Sequence, residues 1–192
     1  MTTTAIVAEI LVGGLQTLFW LAALFFAIHG LPSDSGKLLH ETKDFVTPLT
    51  FALVAFSYVL GVLVDRIADS LFHPIDKWVR RRELPKCFSV PRTRLLVMHK
   101  GEQMTKFLDY VRSRMRLARS TAFNCIAGTI AAVLLVERQH IDVSVCAVAV
   151  TGFVAVAAAA FAWIRISRTY YRRLAQALDV LNAEPQRQEK GN

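Results

Sequence analysis

Charge is missing from four long stretches of this sequence. Residues 10–28, 45–64, 120–136 and 143–164 contain no Asp, Glu, Lys, Arg or His over 19, 20, 17 and 22 positions. At the helical rise per residue these runs reach about 25 to 33 Å, enough to cross a hydrocarbon core of about 30 Å. The third is the shortest and needs Arg119 snorkelling at one end. A hydrophobic share of 54% and a mean hydropathy of +0.37 likewise exclude an ordinary soluble domain. Cysteine is scarce: Cys87, Cys125 and Cys146 show neither disulfide nor zinc spacing, and the last two fall in apolar runs, where they read as small packing residues. No Lys or Arg precedes the first run. A signal peptide would have a basic n-region and a small-residue cleavage site, so the first helix is expected to be retained.

Catalytic signatures are absent too. The sequence contains no phosphate-binding P-loop, no Gly-rich dinucleotide fingerprint, no His-Glu-x-x-His and no nucleophile elbow. The histidines His29, His40, His73, His99 and His140 are scattered. Asp69 and His73, at i and i+4, are the only pair with ligand-like spacing, and an exposed helical hydrogen bond explains them as well. The expectation is a protein that is not an enzyme and that needs no metal or cofactor.

What is present is positive charge on one side. Residues 65–119 hold 14 Lys and Arg against 6 Asp and Glu, and residues 165–192 hold 6 against 3, whereas 31–44 hold 2 against 3 and 137–142 hold 1 against 2. Basic connections stay in the cytoplasm. Both termini and the 65–119 segment are therefore expected to be cytoplasmic.

The fold expected is all-α: one membrane domain with four transmembrane helices near 5–29, 45–64, 120–136 and 143–164, whose helices extend into a basic cytosolic neck. After residue 64 a helical apolar period continues through Ala68 and Phe72, with Pro74 able to kink or restart the helix. Residues 83–91 read as a loop, and 94–98 as a short strand or buried turn. Met104, Phe107, Leu108, Val111, Met115 and Ala118 form one apolar stripe leading into the third span. Tyr170, Leu174, Ala177, Leu178 and Leu181 extend the fourth helix to about 184, and 185–192 form a polar disordered tail.

Within the spans, Ala147, Thr151, Ala155 and Ala159 recur every four residues, as do Asn124, Gly128 and Ala132. Small residues on one face let helices approach closely, either within one chain or between subunits. Gln16 lies about 9 Å inside the apolar boundary, where an amide must face another helix or water. Glu9, Gln16, Ser57 and Asp65 are the candidates for lining a pore, with an interfacial or interhelical role as the plainer reading.

The neck is dominated by arginine, which suits bidentate recognition of phosphate. Arg80, Arg81, Arg82, Arg92, Arg94, Arg112, Arg116, Arg172 and Arg173 are the candidate ligand-binding residues, with aromatics such as Trp78, Tyr110, Tyr170 and Tyr171 among them to stack on bases. Arginines beside a bilayer also meet anionic headgroups, and Arg119, Arg165 and Arg168 fit that role.

Four membrane helices, both ends inside, no catalytic motif, and arginine clusters at 80–82, 112–119 and 165–173 together resemble the small membrane effectors of bacterial antiphage defence. The chain looks most like the channel-like effector of Hailong systems, with the membrane subunit of Kiwa defence as the rival. That resemblance implies a homo-oligomer, a tetramer, restrained by DNA oligomers made by a partner nucleotidyltransferase. The function expected is a channel-like effector controlled by a nucleotide or single-stranded DNA and acting by depolarising the bacterial inner membrane. The alternative is a non-conducting scaffold that recruits a cytosolic defence protein. A transporter is disfavoured by the lack of intramembrane charge and of broken helices.

Overall fold

A computed structural model describes residues 3–30, 46–84, 90–91 and 102–189, and the regular structure among them is all helical. Four long helices follow one another: α1 (Thr3–His29), α2 (Val46–Glu83), α3 (Glu102–Arg138) and α4 (Val145–Glu189). Each is long and apolar enough to cross a membrane. In lipid no water satisfies the peptide groups, so a helix, which pairs them internally, is the form such runs take. Hydroxyl groups follow the same constraint. Thr50, Ser57 and Thr129 each donate to the carbonyl one turn back, at 2.7 Å.

At 38, 37 and 45 residues, α2, α3 and α4 would be about 55 to 68 Å long, well beyond a bilayer core. Their charged portions therefore project past the uncharged ones. Pro74 does not end α2, which continues helical to Glu83 at the cost of the hydrogen bond that a proline cannot donate. α4 is likewise helical through Pro185 to Glu189, past the point at which the sequence reading ends it. The segment 94–98, read as a strand or turn, lies outside the described residues.

Apolar burial is concentrated in the charged portions and in the adjoining turns of the spans. Ala68, Phe72, Ala122 and Trp163 form one buried cluster, and Val79, Leu84, Leu108, Val111, Tyr170, Tyr171, Leu174 and Ala177 form a second. Phe72 and Trp163 meet edge to face at 5.1 Å. Of the expected stripe on α3, Leu108 and Val111 are buried, whereas Met104 and Phe107 stay exposed. In the uncharged runs the pattern inverts: Phe19, Phe51, Phe153 and Phe161 are at least 65% exposed. Side chains that would be costly in water are at home against acyl chains, and this inversion is the signature of a lipid-facing surface.

The helices alternate in direction. α1 packs on α2 and α3, α3 also packs on α4, and α2 reaches α3 and α4, while α1 and α4 do not meet among the described residues. The crossing of α1 over α2 is set by glycine. A β-carbon at Gly14 would lie 1.6 Å from the Ser57 carbonyl oxygen, and one at Gly61 would lie 2.0 Å from the Ile10 carbonyl oxygen. Backbone meets backbone there, with Ser57 fully buried in the contact. α1 closes at Gly30, whose left-handed φ of 89° lets its N–H bond the Phe26 carbonyl at 3.0 Å.

Glycine also marks the α3–α4 contact, while Ala159 of the α4 stripe packs against the cluster of Ala68, Phe72, Ala122 and Trp163. Gly152 packs onto Thr129, where an added β-carbon would come within 2.3 Å of the threonine side chain. Ala147, Thr151 and Ala155 instead stay exposed, lining an open groove beside Gly128 and Ala132.

Gly14→Ala and Gly61→Ala should each push α1 off α2 and destabilise the protein by about 3 kcal/mol or more, at or beyond the upper end for overpacking because only backbone stands in the way. Gly13→Ala, where an added β-carbon meets nothing within 4 Å, should be near neutral. Thermal midpoints of the detergent-purified variants test the contrast.

Candidate functional site

Two polar constellations stand out, one inside the spans and one where the charged portions begin. The first is centred on Asn124 of α3. Its amide nitrogen donates to the Gly13 carbonyl at 3.0 Å and to Gln16 Oε1 at 3.2 Å. Its oxygen accepts from Trp20 Nε1 at 3.1 Å and lies 3.1 Å from Thr17 Oγ1. Thr17 Oγ1 is also 2.9 Å from the Gly13 carbonyl, so its single proton serves one acceptor at a time. A buried amide with all its capacity used holds α1 against α3 in one register. Near the C-terminal ends of the two helices, Gln139 Nε2 donates to the Phe26 carbonyl at 3.0 Å.

Gln16 thus faces another helix, the first of the two options its position allows. Within this chain the four candidate pore-lining residues meet neighbouring helices, the plainer of their two readings. Ser57 is fully buried between α1 and α2. Glu9 accepts a hydrogen bond from Ser113 of α3. Asp65 is held by two arginines of α3. The physical reason is common to all four residues: a polar side chain in or beside an apolar layer is satisfied soonest by the nearest helix of its own chain. Asn124 carries the strongest polar signal of the spans, and the reading by small-residue spacing passed over it. The argument applied to Gln16, that an amide in a membrane run must find a partner, identifies it equally well.

The second constellation lies between α2 and α3. Arg119 donates to Asp69 through Nη1 and lies 3.5 Å from Asp65 through Nη2, while Arg116 Nη2 pairs with Asp65 at 2.6 Å. The Arg119 side chain is only 9% exposed. Arg119, read as a snorkelling residue, is instead folded inward, and Asp69 is engaged by Arg119 in place of a metal-like pairing with His73. No cluster of three metal-ligating side chains occurs among the described residues.

Beside these ion pairs opens a cavity of about 500 Å³. Asp65, Asp69 and Asp76 of α2, Arg112, Arg116 and Arg119 of α3, and Tyr170 and Tyr171 of α4 contribute to its walls. The Tyr171 hydroxyl donates to Asp76 Oδ2 at 2.8 Å. Further along, Glu83 accepts from Arg172 Nε at 2.7 Å and lies 3.7 Å from Arg168 Nε, closing α4 onto the end of α2.

The candidate ligand-binding arginines therefore fall into different settings. Arg116 and Arg172 are ion-paired within the chain, and Arg112 borders the cavity. Arg80, Arg81, Arg82 and Arg173 are exposed. Arg82 lies over the Trp78 ring at 5.5 Å, and Arg114, which the sequence reading placed only in a cluster, lies over Tyr110 at 5.1 Å. Arg92 and Arg94 lie outside the described residues.

Comparison with known proteins found no matching family model, no matching curated protein and no matching solved structure. The chain's own geometry has to carry the functional argument.

Removing one partner of the buried pair should cost more than removing one partner of the outer pair. Asp65→Asn leaves Arg119 short of a counter-charge and should destabilise by about 3 kcal/mol. Glu83→Gln meets arginines that water reaches and should have a much smaller effect. Asn124→Ala, which strands Gln16 and Trp20, should cost about 2 kcal/mol. Reversible unfolding in mixed detergent micelles ranks the three.

Proposed function

We propose that this chain is the subunit of a homo-oligomeric, channel-like membrane effector that binds a phosphate-bearing ligand, a nucleotide or single-stranded DNA, on the arginine-rich portion of its helices. In this reading the membrane is the bacterial inner membrane and both termini are cytoplasmic, as the one-sided distribution of Lys and Arg supports. Antiphage defence is the setting that the architectural resemblance implies, with a tetramer as the assembly and a nucleotidyltransferase as the source of the ligand. Depolarisation of the membrane would be the output.

The observation that carries the reading is the division of labour among the arginines. Arg116, Arg119, Arg168 and Arg172 are each paired with a carboxylate of α2, tying α3 and α4 to that helix. Arg80, Arg81 and Arg82 are exposed in sequence at the end of α2, and Arg82 is stacked on an exposed tryptophan. A row of guanidinium groups with an aromatic platform is what a single strand requires: charge for the backbone and a flat face for a base.

One observation favours the alternative, a non-conducting scaffold that recruits a cytosolic defence protein. Glu9, Gln16, Ser57 and Asp65 are all turned to neighbouring helices of the same chain. A conducting path therefore requires other faces, contributed where subunits meet. The first turns of α2, residues 46–56, are exposed at every position and offer a surface for such contacts.

Two measurements separate the readings. Fluorescence anisotropy with a labelled single-stranded oligonucleotide should show affinity falling with salt. The triple change Arg80→Gln, Arg81→Gln, Arg82→Gln should reduce the log–log salt slope by about 2, since each phosphate contact contributes about 0.7. Ligand-dependent ion flux from protein-loaded liposomes should accompany binding. Binding without flux would favour the scaffold, and an unchanged salt slope would remove the 80–82 row from the ligand site.

A further inference from the structure

The exposed face of α2 does not change character where its charge begins. Leu63, in the last turn of the uncharged run, is followed at helical spacing by Ile67, Leu71, Ile75 and Trp78, and all five are 41 to 59% exposed. The side of α2 that packs within the chain is the adjacent one, where Val64, Ala68, Phe72 and Val79 are buried. α4 behaves in the opposite way. Phe161 is exposed inside its uncharged run, but past that run the exposed residues up to position 177 are Arg165, Thr169, Arg172, Arg173 and Gln176. A lipid-facing surface that passes into water turns polar, as α4 does, so the stripe on α2 requires an apolar cover.

Lipid accounts for only part of that cover. Asp65 follows the uncharged run of α2, and Trp163, in the last turn of the run on α4, meets Phe72. Ile75 and Trp78 lie past both marks. From Ile67 to Trp78 the stripe extends about 16 Å, whereas headgroups add roughly 5 to 8 Å to each side of the hydrocarbon. A single interfacial tryptophan does not explain a stripe of that length.

We infer that a second copy of this chain packs on the stripe, α2 against α2 and parallel, both inside the uncharged run and beyond it. The occupant has to be apolar at the same heights as the stripe. A soluble partner covers only the far end and an acyl chain only the near end. Among the described residues no other exposed face stays apolar for three turns past its uncharged run. α1 has no such length there, starting at Thr3, and on α3 the exposed residues between Tyr110 and Ile126 are Arg112 and Arg114. The stripe is therefore its own complement, the condition for an isologous contact about an axis along the membrane normal. Two copies inserted in the same orientation bring their α2 helices side by side at equal depth. Arg66, His73 and Lys77, exposed on the flank away from the chain's own interior, become the polar rim of the contact. This contact rests on the homo-oligomeric reading above and is independent of its ligand.

The test uses the full-length chain in its membrane, with Cys87→Ala, Cys125→Ala and Cys146→Ala as the background. Oxidation with copper phenanthroline is run at about 0.3 M salt, which screens the like-charged rows at 80–82. Ile67→Cys and Leu71→Cys should form disulfide-linked dimers at least about fivefold faster than His73→Cys and Thr169→Cys, exposed positions off the stripe, because the bond needs close and matched β-carbons. Separately, the combined change Leu71→Gln, Ile75→Gln, Trp78→Gln alters side chains that the single chain leaves exposed. It should keep the helical circular dichroism and lower the mass seen by light scattering in detergent to half or less. Cross-linking at the stripe no faster than at the controls, in a chain still multimeric by mass, would overturn this contact and leave the homo-oligomer standing. A chain that is monomeric by mass and does not cross-link overturns both. A Leu71→Cys product joined to a different protein would assign the stripe to a cytosolic partner and overturn the pairing of α2 with α2.

Discussion

Arg119 is the residue on which the junction between the lipid-facing and charged portions of the molecule depends. A guanidinium that is nine-tenths buried persists only with counter-charges in place, because its desolvation is worth several kcal/mol. Asp65 and Asp69 supply them from α2, one helical turn apart, so that α2 and α3 meet at a fixed height. Below that point the helices have a conventional interior of Phe72, Trp163, Leu108 and Leu174. Above it they have far less, and in the uncharged part of α4 only the last turn, at Trp163, is buried. The ion pairs thus stand where one solvent gives way to another, and each side follows the packing rules of its own solvent.

The spans are held by other means. Lipid tails are as apolar as the side chains they would replace, so apolar burial drives little association between membrane helices. Close backbone approach and hydrogen bonding remain. α1 uses each on a different neighbour: Gly14 and the carbonyl of Ile10 against α2, and the Gly13 carbonyl, Gln16, Thr17 and Trp20 against Asn124 of α3. Glycine and amide therefore lie on adjacent faces of one turn. This explains why α1, the shortest of the four helices, can pack between two others without meeting α4 among the described residues.

The element plan was legible in the sequence because it follows from one-dimensional facts: uncharged runs of bilayer length and a continuing apolar period beyond them. The uses of particular polar residues were not. A guanidinium at the end of an apolar run is equally consistent with snorkelling outward, as read for Arg119, and with folding inward onto a carboxylate. Which occurs depends on whether α2 brings Asp65 and Asp69 to the same height, a relation between residues about fifty positions apart. The small-residue stripe on α4 was legible only in part for a similar reason. Spacing shows that Ala147, Thr151 and Ala155 share a face but not which neighbour that face meets, and the contact with Thr129 is made by Gly152, one residue away from Thr151.

These relations bear on how a ligand could change the molecule. Arg116 and Arg119 bond to carboxylates of α2 and border the cavity beside it. A phosphate entering that space competes with Asp65 and Asp69 for the same donors, and an arginine with several N–H groups can shift between partners with little movement of its backbone. Asp65 and Arg116 also border the small space against Glu9 and Gly13, so a change in their pairing reaches α1 directly. The route from the charged portion to the spans is therefore short and made of named contacts: the cavity, Arg116, Asp65, and then the glycine crossing where Gly61 meets Ile10. This junction is where α1, α2 and α3 share polar contacts among the described residues.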